Sequence, residues 1–249
     1  MQAMAKEATS LSGKSSTPQI PFSKENIEAA RMLAGIDARM LDEAGRARLG
    51  AVLEEYVDAQ LASLDRPQAR VNLGNLYADA GDAPAAERYY RSALALDPDF
   101  EPAYGNLAQL LADRGDEQGA GQVLAQGLAV RPESAALHHA MGLHHVRSGD
   151  RAMALEPLER AAGLAPGNTR YGYVYAVALD GAGRRQEAID LLEKAHKARQ
   201  ADADVLWALV SMHLQSGNQA DAIRYARQLR ILRPDDPALR QLLGQLGEE

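Results

Sequence analysis

The amino-acid sequence predicts an all-α solenoid of repeated helix pairs, and three observations carry that expectation. Glycine recurs at Gly81, Gly115, Gly149, Gly183 and Gly217, each 34 residues after the last, in a chain of 249 residues. At the chain's overall glycine content, five hits in one register would arise by chance roughly a few times in a million, so the period is real. The same register repeats Ala86, Ala120, Ala154, Ala188 and Ala222, together with Pro98, Pro132, Pro166 and Pro234, and is broken only where Gln200 replaces the proline. Third, Ala and Leu are abundant, Val and Ile are sparse and aromatic residues make up 5% of the chain, a mix that favours helices packed through small contacts over β-sandwiches. With 46% apolar and 24% charged residues, most of the length can bury a core.

Taken in order, residues 1–22 are polar and rich in Ser, Thr, Lys and Pro, and are expected to form a flexible tail or linker. Residues 23–66 are expected to supply N-terminal capping helices. Ser23 is a plausible N-cap for a short helix carrying Ile27, Ala30, Leu33 and Ala34, and Leu49, Val52, Leu53, Tyr56, Gln60, Leu61 and Leu64 make a longer stripe. Five helix pairs follow at 67–100, 101–134, 135–168, 169–202 and 203–236. Within each pair the glycine permits the positive φ of a tight turn, proline ends the second helix, and small residues at Gly74, Ala108, Gly142 and Ala176 allow close helix crossing, with Val210 departing. Residues 237–249 carry Leu239, Leu242, Leu243 and Leu246 on one side, as suits a helix that ends a solenoid.

Leu73, Gly74, Tyr77, Ala86, Tyr90, Ala93 and Pro98 reproduce almost whole the pattern of the tetratricopeptide repeat, which residues 67–236 resemble throughout. The resemblance implies a right-handed superhelix acting as a protein-interaction scaffold, with a concave groove lined by the first helix of each pair. A narrower resemblance, in Asp65-Arg66-Pro67, the run from Ala136 to Leu143 and the run from Arg170 to Leu179, is to the C-terminal repeat region of bacterial multihaem cytochrome c proteins. It implies docking of a redox partner and HEAT-like helices upstream, of which residues 24–64 would be the last; residues 23–66 read alternatively as a degenerate repeat.

Composition excludes several classes. Without cysteine the chain itself cannot form disulfides, thiolate metal sites or thioether haem links. A net charge of −7 opposes nonspecific attraction to nucleic acid or an anionic membrane surface. No apolar stretch approaches a membrane span and no signal peptide is visible. The expectation is a cytoplasmic protein, or a periplasmic one if the chain is a piece of a secreted cytochrome-type parent.

Catalytic patterns are nearly absent. Gly13-Lys14-Ser15 mimics the end of a phosphate loop, but Ala8 stands where the earlier glycine is required. His138, His139, His144 and His145 share one helix, yet none are spaced by four as a helical metal pair demands. His138 and His145 share a face, and read either as partly buried structural residues or as a metal carrier. No cofactor and no enzymatic activity are expected.

The family resemblance places Asn72, Asn75, Asn106 and Gln109 in the groove's N-terminal half, with Asp79 and Asp113 at its edge. It places His139, Tyr173 and Trp207, the fifth residues of the third, fourth and fifth pairs, in its C-terminal half. Amides can bond a peptide backbone in both directions, and rings can anchor apolar side chains. The asparagines read equally as solvated polar residues, and Trp207 as a residue packed between repeats. Val71, Ala136 and Ala140 stand where family members that clamp C-terminal carboxylates carry cations. The first two pairs hold five basic against ten acidic residues, so the expected partner is a protein or peptide with a basic or neutral extended segment.

Overall fold

A computed structural model describes residues 40–198 and 202–248. The expected tail, the short helix after Ser23, the Gly13-Lys14-Ser15 motif and Gln200 all lie outside the described residues. The chain divides into two units, residues 1–59 and 60–249. Helix α1 (Glu43–Leu61) starts in the first unit at Asp42, whose carboxylate accepts from the Gly45 amide at 2.7 Å, and its last residues, Gln60 and Leu61, belong to the second.

Among its described residues the second unit is built of helices joined by short turns, with no strand. Five pairs follow one another: α2 (Pro67–Asp79) with α3 (Ala83–Leu96), α4 (Glu101–Asp113) with α5 (Glu117–Val130), and α6 (Ala135–Arg147) with α7 (Arg151–Leu164). The fourth and fifth are α8 (Thr169–Gly181) with α9 (Arg185–Ala198) and α10 (Ala203–Gln215) with α11 (Gln219–Leu232), and α12 (Pro237–Gln245) follows the fifth pair. Each helix packs on the next, and the first helices also meet across pairs, α2 on α4, α4 on α6 and α8 on α10. This is an α-solenoid. Among the described residues no helix is long and apolar enough to cross a membrane.

Local chemistry sets these boundaries. Asp82, Asp116 and Asn218 accept from the amides of Ala85, Gly119 and Asp221, and Ser134 does the same for Leu137, so the otherwise unpaired N–H groups of a helix start find partners. The repeat glycines all take the left-handed conformation, Gly149 at φ +84, and reverse the chain between first and second helices.

Close crossing accounts for the other fixed small residues. A Cβ added at Gly74 would lie 2.4 Å from the Tyr90 ring, and one at Gly142 would lie 2.5 Å from Leu158. Ala93, Ala120, Ala154, Ala188, Ala222 and Ala226 are fully buried, so second helices also approach their neighbours through methyl groups. The buried apolar residues form two clusters. One runs from Val71 to Leu137 and the other from Ala154 to Leu243, and they part within the third pair, where α6 carries the four histidines.

Candidate functional site

The first helices expose one edge of each repeat, and α2 and α4 fill it with amides. Asn106 Nδ2 donates to Asn75 Oδ1 at 2.7 Å, and the Tyr90 hydroxyl donates to the same oxygen at 2.8 Å. Asn72 Nδ2 donates to Gln60 Oε1 at 2.9 Å, while Gln68 donates to Asn72 Oδ1. The asparagines are thus neither an open ladder nor simply solvated. They tie helices together, and among the described residues nothing donates to the Asn106 side-chain carbonyl. Asp79 and Asp113 are exposed at equivalent places one repeat apart, and Asp113 accepts from Gln109 at 2.7 Å.

Toward the C-terminal end the face becomes apolar. Val177 on α8 is 45% exposed and Trp207 on α10 is 39% exposed, with Tyr173 half-buried nearby in sequence. Trp207 opens onto a slot of about 340 Å³, which it lines with Val210, Ser211 and Leu214 of α10 and with Ala238, Gln241, Leu242 and Gln245 of α12. Sequence reasoning used the leucines of α12 only as a stripe facing the core. The signal it passed over is the pair Gln241 and Gln245, one helical turn apart on the other side.

The fifth position of the repeat is not one exposed face. Val71 is 1% exposed and His139 is 8% exposed, against 39% for Trp207. The expected placement of His139 in line with Tyr173 and Trp207 is therefore corrected. The imidazole packs on Tyr171 of the next repeat, with ring centroids 4.5 Å apart, and its Nδ1 is buried without a hydrogen-bond partner. Trp207 instead borders the slot it shares with the nine-residue α12 and stays 39% exposed.

The other histidines are structural in their contacts. His138 Nε2 donates to the Pro132 carbonyl at 2.9 Å, and His144 Nδ1 meets Glu117 Oε2 at 2.9 Å, joining α6 to α5. Burial pushes the Glu117 carboxyl up, but hydrogen bonds from His144 and Arg147 more than offset it, leaving it below its ordinary value. Among the described residues no group of three or more His, Cys, Asp or Glu is placed to hold a metal ion.

Burial, and then the nearby Arg170 charge, hold His139 below the ordinary histidine value. A depressed folded-state pKa means that the unfolded chain takes up the proton first, so stability is full above about pH 6.5 and is lost as pH falls toward the folded-state value. His139→Phe should flatten part of the decline in urea midpoint between about pH 7 and 5. An unchanged decline would show that other groups carry it.

Comparison with known proteins places this geometry. Tetratricopeptide repeat profiles match residues 77–143 and 181–246 in one case and 42–101 and 139–202 in another. No curated protein matches the sequence. Among solved structures, the chain is similar to PilW, described as a widely conserved type IV pilus biogenesis factor, with 19% identity and a TM-score of 0.65 over 89% of this chain and all of that one. Pseudomonas aeruginosa pilF superposes with a TM-score of 0.61 at 18% identity, covering 89% of this chain and 98% of its own. YrrB, described as a TPR protein with an unusual peptide-binding site, gives 0.58 at 19% identity over 76% of this chain and 97% of its own. These likenesses account for the repeats without the multihaem context. With profiles covering more than half its length and the same helix pairs in its fold, the chain belongs to the tetratricopeptide repeat family, whose members are generally non-catalytic scaffolds for binding proteins and peptides.

Proposed function

We propose that the chain is a scaffold without catalytic activity that holds an extended stretch of a partner polypeptide along its first helices. The apolar part of that stretch lies over α8 and α10, and its basic or neutral end lies toward Asp79 and Asp113. The observation that carries the reading is the exposure of Val177 and Trp207 on successive first helices. Trp207 lines a slot of about 340 Å³ whose other lining side chains are uncharged, and Val177 lies exposed on the preceding first helix. Asn106, with a free carbonyl, and the carboxylates of Asp79 and Asp113 suit backbone amides and basic side chains at the other end. The description of YrrB as having a peptide-binding site supports the same use of the fold.

The test begins with recovery of a partner polypeptide on the immobilised protein and continues with its association kinetics. Charges on a surface face steer encounter over a range that physiological salt screens to about 8 Å, so the association rate should fall as salt rises. The double variant Asp79→Asn, Asp113→Asn should lower that rate at low salt and leave the dissociation rate nearly unchanged. A rate flat with salt in the unaltered protein would assign the acidity to solubility alone.

A further inference from the structure

The slot between α10 and α12 is built differently from the rest of the face. None of its lining side chains is charged, although charged residues make up 24% of the chain. Its floor is apolar, with Val210 buried and Leu214 and Leu242 half-buried, and Trp207 forms one wall. From α12 the slot is also lined by Gln241 and Gln245, exposed and one turn apart, with neither side-chain amide bonded to another described residue. Primary amides carry both donors and an acceptor, which is the complement of an extended backbone. A charged group entering here would lose water and find no counter-ion, whereas a neutral apolar side chain would gain burial against Trp207, Leu214 and Leu242.

We infer that this slot is a side-chain pocket for an uncharged, extended polypeptide segment, taking one apolar side chain while Gln241 and Gln245 bond the backbone on either side of it. The inference rests on the scaffold reading above and names the chemistry of one of its anchor points. A volume of about 340 Å³ admits a single side chain of leucine, methionine or phenylalanine size with room for neighbouring backbone. The pocket thus combines the first helix of the fifth pair, α10, with α12.

Trp207 is the chain's one tryptophan, and its emission reports this pocket alone. The probes are blocked octapeptides of Ser, Gly and Asn with a central Leu, Met or Phe, each paired with the same peptide carrying Asp or Lys at that position. The apolar probes should shift and saturate the emission, and the charged counterparts should bind at least about tenfold more weakly. Replacing both Gln241 and Gln245 by Ala should weaken the apolar probes about three- to tenfold while the helical circular dichroism stays unchanged. Absence of any shift, or an equal response to apolar and charged probes, would overturn the inference. So would an emission change that tracks protein concentration together with a dimer mass in sedimentation, since the occupant would then be a second copy. A recovered partner that binds the whole chain but leaves Trp207 emission and the glutamine variants untouched removes the pocket and spares the scaffold reading. Failure to recover any partner removes the scaffold reading itself.

Discussion

Gly142→Ala should destabilise the protein by about 2 kcal/mol, whereas Gly105→Ala should leave stability unchanged or raise it by about 0.5–1 kcal/mol. Both glycines lie inside first helices, so helix propensity favours alanine at each. The difference is what the added methyl meets. At Gly142 it would sit 2.5 Å from both Cγ and Cδ2 of Leu158, which is fully buried and has nowhere to turn, while at Gly105 nothing lies within 4 Å. Leu158→Ala alone should cost about 3 kcal/mol by leaving a cavity. The double change should cost less than the two single changes together, because the new methyl occupies space that Leu158 vacated. Urea denaturation of the four proteins tests this, and strict additivity would show that the crossing at Gly142 is looser than its geometry.

Trp207→Ala should reduce affinity for the partner polypeptide on the order of thirtyfold, equivalent to about 2 kcal/mol, while costing about 1 kcal/mol of stability. The ring is 39% exposed, so its removal uncovers part of α12 without opening the core, whose nearby members Leu206 and Leu209 are fully buried. The ordering of the two effects is what matters. A variant that melts far earlier and whose folded fraction binds normally would make Trp207 a packing residue.

The fold was legible because its constraints are local. A positive φ at Gly81, Gly115, Gly149, Gly183 and Gly217 is demanded by the turn within each pair, and Gly74 and Gly142 are demanded by a helix crossing beside them, so each leaves a mark in the sequence at a fixed spacing. The site was less legible because it depends on what the neighbouring repeat does. His139 and Trp207 hold the same place in their repeats, yet one is covered by Tyr171 of the following repeat and the other borders an open slot shared with α12. The bond from Asn106 to Asn75 spans two helices, and nothing in either helix alone foretells it. The slot is illegible for the same reason: half of it comes from α12, whose apolar periodicity marks only the leucine stripe.

The central claim, that a partner polypeptide lies along the first helices, is tested most directly by photo-cross-linking from two positions. A photoreactive phenylalanine in place of Val177 on α8 and another in place of Met153 on α7 both sit on exposed sites, 45% and 62% in the native residues, on a first and a second helix respectively. The account predicts that irradiation of the complex joins the partner to position 177 and not to position 153. Efficient cross-linking at 153 with none at 177 would place the partner on the second helices and contradict it.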